Sequence, residues 1–217
     1  DTDGGHVLEL SADTFVEQVD VYKGVTIQGQ GASSSVIQAP DTMNVSFVTS
    51  ANNYAVIYVH DVNATFTDFT LDGAGEGNGH HRFVGFGLHN AGGTIQDVDV
   101  IDVRNEPLDG NQSGIGIYAV AENGTPRTLA ITNATVIGFQ KNGMTLLGPD
   151  LTVNVQGSTV TGAGILGSGL PAQNGIQVSD GANGSIVGNT ISDIAYELTS
   201  WAATGIMVSD TAGPVHA

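Results

Sequence analysis

Gly85-Phe86-Gly87-Leu88 decides the fold, because its pattern of a glycine, an apolar residue, a variable residue and a second apolar residue recurs along the chain. Four further copies follow it: Gly114-Ile115-Gly116-Ile117, Gly143-Met144-Thr145-Leu146, Gly175-Ile176-Gln177-Val178 and Gly205-Ile206-Met207-Val208. The leading glycines are 29, 29, 32 and 30 residues apart. This period predicts a repeat architecture, in which each unit buries its apolar side chains against the next unit.

Each repeat also contains two short runs of alternating apolar and polar residues, with no helical spacing between them. The first run builds an apolar column of Phe66, Ile95, Ile131, Val155 and Ile186, and the second builds one of Leu71, Val100, Val136, Val160 and Ile191. Residue types that turn easily stand between the two columns: Asp68, Asp97, Asn133, Gly157 and Gly188. The pattern indicates parallel strands of successive coils, stacked about 4.8 Å apart.

We therefore predict an all-β chain folded as a right-handed parallel β-helix, a solenoid of about six to seven coils with a period near 30 residues. A β-propeller blade needs four strands in about 40 residues, and a leucine-rich solenoid has a shorter period, so neither fits. Residues 1–217 are interpreted as one domain, with an opening coil over 1–24, repeating coils over 25–204 and an incomplete last coil over 205–217. An uncapped last coil predicts either further protein or a stacked second subunit, since exposed strand edges need covering.

The string from Phe15 to Ile37 and two later pieces, Asn174-Gly175-Ile176-Gln177-Val178 and Gly188-Asn189-Thr190-Ile191, carry a resemblance to a known group. They resemble secreted bacterial right-handed parallel β-helix repeat proteins, the pectate-lyase-like superfold that includes the NosD-type repeats. The likeness covers nearly the whole chain, but its motifs are folding motifs. It implies a secreted or extracellular surface protein and leaves the activity open.

Composition narrows the classes of partner. With 22 acidic and 5 basic residues, the formal net charge is −17, which disfavours nucleic acid and anionic membranes. No apolar run approaches the length of a membrane span, so we expect no membrane insertion. There is no cysteine, which excludes disulfides and thiolate metal sites. Six Asn-x-Ser/Thr triplets are interpreted as chance products of a chain rich in Asn and Thr.

Chemistry is expected on two loops that leave equivalent points of adjacent coils, 72–82 and 102–111, and should lie side by side. In enzymes of the resembled superfold, a lyase neutralises a uronate carboxylate with Ca²⁺ or Arg, and a basic side chain removes the adjacent proton. That resemblance implies His80 or His81 as the base, with Arg82 or Arg104 meeting the negative charge of the substrate. The plainer alternative is a solvated loop whose arginine pairs with a nearby carboxylate.

A calcium ion is the one cofactor that the sequence suggests, because carboxylate oxygens are its preferred ligands. The candidate ligands are Asp72, Glu76, Asp97, Asp99 and Asp102. Asp97, Asp99 and Asp102 form the better acidic row, and Asp97 and Asp99 point the same way only if the assignment of the apolar columns holds. A hydrolase would instead need two paired carboxylates. The polygalacturonase set Asn-Thr-Asp, Asp-Asp, Gly-His-Gly and Arg-Ile-Lys is missing, as is the Asp-Pro-His-Asp motif of alginate epimerases.

Trp201 is the only tryptophan and lies near Tyr196, so the pair is a candidate sugar-binding platform. The alternative is a residue that plugs the side of the solenoid. Three functions stay open. The first is a structural or adhesive β-helix at the cell surface that self-associates end to end as a homo-oligomer. The second is a polysaccharide-active enzyme, a uronate lyase or a glycoside hydrolase, and the third is a binding module of a larger protein.

Overall fold

The structure is a computed structural model that describes residues 5–216, so residues 1–4 and Ala217, at the ends of the two predicted terminal coils, lie outside it. Three parallel sheets, here called A, B and C, form a parallel β-helix. Sheet A contains β1 (His6–Glu9), β4 (Val25–Gln28), β8 (Asn63–Thr67), β11 (Gly92–Gln96), β14 (Arg127–Thr132), β17 (Leu151–Gln156), β20 (Asn183–Val187) and β23 (Val215–His216).

Sheet B contains β2 (Thr14–Val16), β5 (Val36–Gln38), β9 (Thr70–Asp72), β12 (Asp99–Ile101), β15 (Thr135–Ile137), β18 (Thr159–Leu166) and β21 (Thr190–Tyr196). Sheet C contains β3 (Val19–Val21), β7 (Asn52–His60), β10 (Phe83–His89), β13 (Ile115–Val120), β16 (Asn142–Leu147), β19 (Asn174–Ser179) and β22 (Thr204–Val208). Strand β6 (Phe47–Val48) pairs antiparallel with β7, and a 3₁₀ turn spans Gly77–Gly79. The prediction of an all-β chain folded as a parallel β-helix is thereby confirmed.

Both predicted apolar columns are confirmed by the strand register. Ile95 pairs with Phe66 and Ile131 in sheet A, and Val100 pairs with Leu71 and Val136 in sheet B. These side chains are almost completely buried and form one core that runs along the solenoid. The core exists only because coils stack, since no single coil has enough apolar surface to bury.

The corner between sheets A and B shows why the sequence places small polar residues and glycine there. All five predicted turn residues, Asp68, Asp97, Asn133, Gly157 and Gly188, have φ between 52° and 67°. This left-handed conformation is costly for most side chains but accessible to Gly, Asn and Asp. Neighbouring corners also bond to each other, since Asn133 Nδ2 donates to Asp97 Oδ1 at 3.2 Å.

One copy of the glycine pattern is predicted in the wrong register. The structure pairs Phe86 with Ile117 and Gly87 with Tyr118, so Gly116, and not Gly114, is equivalent to Gly85. The predicted register was wrong by two residues at this copy, because Gly114 and Gly116 both begin a Gly-apolar-x-apolar run. The correction brings Tyr118 into the outward row that also contains Tyr58 and Gly87.

The second coil carries an insertion at its corner between sheets B and C. The strands of this coil, β4, β5 and β7, each pair with the corresponding strand of the first coil, β1, β2 and β3. The chain between β5 and β7 leaves the coil and folds back on the outer face of sheet C, where β6 joins the edge of β7. We call residues 39–51 the strap.

Candidate functional site: the outer face of sheet C

A wall of loops borders sheet C at its corner with sheet B. It consists of segments 73–82, 102–114, 138–141, 167–173 and 197–203. The two loops predicted to be neighbours do lie side by side. Gly75 N donates to Asp102 O and Gly77 N donates to Arg104 O, each at 3.0 Å, and Glu106 N donates to Asn78 Oδ1 at 2.7 Å.

His80, one of the two predicted bases, is buried in this wall and is 5% exposed. Its Nδ1 lies 2.8 Å from Glu76 O, and its Nε2 lies 3.0 Å from Met43 N in the strap. Since Met43 N can only donate, Nε2 accepts and Nδ1 carries the proton. Both ring nitrogens therefore bind the protein itself, and His80 ties the strap to the wall. His81, the other predicted base, is exposed to solvent.

The two predicted substrate arginines have different surroundings. Arg104 binds two carboxylates, with Nε 3.1 Å from Asp102 Oδ1 and Nη2 2.7 Å from Glu106 Oε2. Arg82 binds hydroxyls instead, donating to Thr49 Oγ1 at 2.9 Å and to Ser50 Oγ at 2.8 Å. The charge of Arg104 is thus balanced locally. Among residues 5–216, no carboxylate lies within ion-pair distance of Arg82, so its charge stays available.

The structure does not bring the five predicted calcium ligands together. Asp72 accepts hydrogen bonds from Gln38 Nε2 and Ala74 N, and Asp97 lies in the corner between sheets A and B. Asp99 belongs to β12, whereas Glu76 and Asp102 belong to the loop wall. Across the described part of the chain, no three His, Asp or Glu side chains are grouped so that they could hold a metal ion.

Trp201 and Tyr196 lie at the last coil. Trp201 is 72% exposed on segment 197–203, and Tyr196 ends β21 in a half-buried position. The indole is therefore presented to solvent and does not plug the side of the solenoid. This exposure is what the platform interpretation requires.

The outer face of sheet C carries an aromatic stack that the sequence analysis missed. Phe47 of the strap lies between Tyr58 and Tyr118, with ring centroids 5.3 Å and 5.8 Å apart and interplanar angles of 10° and 12°. It fits there because Gly87 stands between the two tyrosines in the outward row, and a β-carbon at Gly87 would lie 3.0 Å from the Phe47 ring. The strap thus inserts its aromatic ring into a gap of the sheet.

An amide ladder continues the same face toward the last coil. Asn174 Nδ2 donates to Asn142 Oδ1 at 3.1 Å, and Asn142 Nδ2 donates to Thr145 Oγ1 at 2.8 Å and to Gln177 Oε1 at 3.0 Å. Gln177 Nε2 donates in turn to Ser179 Oγ at 3.0 Å. Gln177 is the partly exposed member of this ladder, whereas Asn142, Thr145, Asn174 and Ser179 are buried, so the ladder stiffens the face and offers one amide to a ligand.

A pocket of about 170 Å³ opens where the loop wall meets this face. It is lined by Asn53, Arg82, Val84, Gln112, Ser113, Ile115 and Tyr118. We call it the Arg82 pocket. Ser113 fixes its floor by accepting a hydrogen bond from Arg82 N at 3.1 Å. A guanidinium, two amides and a phenol therefore converge on a space that is smaller than a typical drug-sized site.

Both tyrosines of the aromatic stack are held in their neutral form. Burial raises the pKa of Tyr118, and the nearby Arg82 guanidinium opposes the rise. Burial raises the pKa of Tyr58 to about 12, and the Asp20 and Asp61 carboxylates add to the increase. At neutral pH these phenols therefore act as hydrogen-bond donors and apolar surfaces, and neither is a base suited to proton abstraction.

Comparisons with known proteins give a likeness of fold only. No protein-family model matches the sequence, and no curated protein matches it. Among solved structures, a pectin methylesterase from Yersinia enterocolitica is similar, with a TM-score of 0.44 and 9% sequence identity over 85% of this chain and 74% of that chain. Within the described residues, the structure contains no helix long and apolar enough to cross a membrane. The chain is a parallel β-helix, and its candidate site is the outer face of sheet C.

Proposed function

We propose that this chain is an extracellular or surface-displayed β-helix that binds a polysaccharide along the outer face of sheet C. The observation that carries the proposal is the Arg82 pocket, where a guanidinium with no carboxylate partner among residues 5–216 meets Tyr118 and the amides of Asn53 and Gln112. Sugars combine apolar ring faces with dense hydroxyl groups, and aromatic side chains with a polar edge suit both. Gln177, the partly exposed member of the amide ladder, would continue the contacts along the glycan.

Tyr118→Ala is expected to weaken glycan binding about tenfold, a loss of about 1.4 kcal/mol, because it removes the aromatic wall of the Arg82 pocket. A panel of neutral and uronate polymers, immobilised and probed with the purified chain, first identifies a bound glycan, and titration then gives the affinities. Tyr22→Ala is the matched control, since Tyr22 is an exposed tyrosine of the first coil that does not line this pocket. Unchanged binding by Tyr118→Ala would contradict the assignment of the Arg82 pocket as a glycan site. Absence of binding to every polymer in the panel would contradict it as well.

The enzymatic alternative draws on His81, which is exposed next to Arg82. A lyase would use His81 to remove the proton beside a uronate carboxylate. Measuring unsaturated products and reducing ends from the same polymer panel, with and without calcium, shows whether the chain cleaves a polymer. We expect binding without cleavage, because both ring nitrogens of His80 bind the protein itself and the phenols of Tyr58 and Tyr118 stay protonated. Product formation that disappears in His81→Ala would replace the binding proposal by the enzymatic one.

We also propose that copies of the chain associate end to end. The proposal is based on exposed aliphatic side chains at both ends of the described solenoid. Leu8 of β1 is 53% exposed, and Val208 of β22 is 45% exposed. β1 and β22 are edge strands within the described residues, and unpaired strand edges are templates for further pairing. A second copy could therefore continue the same sheets.

The purified chain is accordingly expected to form species larger than a monomer as its concentration rises, measured by light scattering after size-exclusion chromatography. Leu8→Lys should reduce this association at least tenfold, because a charge on an edge strand opposes pairing. Ile165→Lys is the matched control, since Ile165 is 75% exposed on β18, a strand inside sheet B. A monomer at every concentration would remove this proposal.

A further inference from the structure

A second pocket lies at the beginning of the outer face of sheet C and is separate from the Arg82 pocket. It has a volume of about 220 Å³ and is lined by Gln18, Val19, Asp20, Asn44, Val45, Ser46 and Tyr58. Strand β3 of the first coil pairs with β7 of the second coil, which places Asp20 directly beside Tyr58 on one wall of the pocket. The strap closes its other side. We call it the Asp20 pocket.

The pocket is preformed by a set of polar contacts. Gln18 Nε2 donates to Asn44 O at 2.9 Å and to Ser46 Oγ at 3.1 Å, while Gln18 Oε1 accepts from Asn44 N at 2.9 Å. Ser46 Oγ also accepts from Ala55 N at 3.0 Å. These bonds hold the strap against the first coil, so a ligand would meet walls that are already in place.

The electrostatics of the Asp20 pocket are negative. Asp20 is the only charged residue in its lining, and the lining contains no Lys, Arg or His. Asp61 adds a second carboxylate nearby, and the influence of both reaches the Tyr58 phenol, whose ionisation they oppose. The chain as a whole has a net charge of −17, which draws cations toward such a site.

His60 does not neutralise both carboxylates. Its Nε2 lies 3.2 Å from Asp20 Oδ1, and its Nδ1 lies 3.4 Å from Asp61 Oδ2. A single imidazole carries at most one positive charge, so it can balance only one of the two carboxylates. The Asp20 side chain is 61% exposed, which leaves its carboxylate accessible to a donor that enters the pocket.

We infer that the Asp20 pocket receives the ammonium group of a glycan that carries free amines, an inference that rests on the proposed polysaccharide binding. An ammonium group offers three donors and one positive charge, and it fits a small space with a carboxylate, a side-chain amide and a serine hydroxyl on its walls. The glycan thus extends from the Arg82 pocket past the aromatic stack to Asp20. The ligands of this chain are therefore polymers that contain amino sugars.

The test compares short β-linked oligomers of glucosamine with those of N-acetylglucosamine by isothermal titration calorimetry at low salt. The wild-type chain should bind the glucosamine oligomer at least tenfold more tightly, and Asp20→Asn should remove that preference while it leaves the affinity for the acetylated oligomer unchanged. Asp193→Asn is the matched control, because it removes the same charge from an exposed position on β21 and should keep the preference. Circular dichroism confirms that both variants are folded.

The outcomes separate this inference from the function on which it rests. Equal affinity for the two oligomers would overturn the inference that the Asp20 pocket binds an ammonium group, and it would leave the proposed polysaccharide binding intact. If Asp20→Asn and Asp193→Asn reduced the preference for the glucosamine oligomer equally, the inference would also be overturned, because the preference would then come from the negative charge of the whole chain. If neither oligomer and no polymer in the panel bound to the chain, the proposed polysaccharide binding would be overturned, and the inference with it.

Discussion

One added methyl group at Gly93 is expected to destabilise the chain by about 4 kcal/mol or more, among the largest losses that single substitutions cause. Gly93 has a φ of +119°, a conformation that L side chains rarely adopt. A β-carbon there would also lie 1.9 Å from the carbonyl oxygen of Ala64, the residue that Gly93 faces in β8. Gly93→Ala must therefore push β11 away from β8 and break the ladder between two coils.

The midpoint of chemical denaturation, followed by circular dichroism, measures this effect without assuming a two-state transition, which repeat proteins do not always obey. Gly79→Ala is the control, because a β-carbon at Gly79 meets no atom within 4 Å. Its midpoint should stay within experimental error of the wild type. A Gly93→Ala variant that unfolds at the same denaturant concentration as wild type would show that β8 and β11 are not paired as described.

Phe66→Ala is expected to cost about 3–5 kcal/mol, because it leaves a cavity in the middle of the core. Phe66 is 1% exposed and stacks between Ile27 and Ile95 in the sheet A column. Its ring also meets Phe86 of sheet C edge to face, with centroids 5.1 Å apart. The substitution therefore weakens contacts along the stack and across it.

The same denaturation assay, with Val187→Ala as the comparison, tests this second stability prediction. Val187 also belongs to sheet A but is half exposed, so its truncation removes little buried surface. The expected order of midpoints is wild type, Val187→Ala and then Phe66→Ala by a wide margin. Similar midpoints for the two variants would mean that the sheet A column is not the continuous core described above.

Local patterns were enough to predict the coil architecture. Apolar columns such as that of Phe66 and Ile95 follow from strand periodicity, and the corner at Asp97 and Asn133 follows from the few residue types that tolerate positive φ. Both signals lie within one repeat and return in the next. The loops around Gly75 and Asp102 were correctly predicted to be neighbours for the same reason, since equivalent points of stacked coils are adjacent.

The candidate site depended on features that one repeat does not contain. The aromatic stack requires the correct register of Tyr118, and two glycines spaced two residues apart made that register ambiguous. It also requires Phe47, which reaches the gap at Gly87 only because the strap leaves its coil. His80 was assigned to a solvated loop or a catalytic role, and its burial depends on Met43, a partner 37 residues away in sequence. The catalytic, substrate and calcium assignments stay predictions.

The strap adds length to one corner of the solenoid without interrupting its stack of strands. Strands β4, β5 and β7 of that coil keep their parallel pairing with the coils before and after them, so the strap is an insertion that the three sheets accommodate. Changes in its length or sequence would therefore alter the walls of the Asp20 pocket while the stack of coils stays the same, which makes the strap the segment through which ligand preference can diverge among related chains.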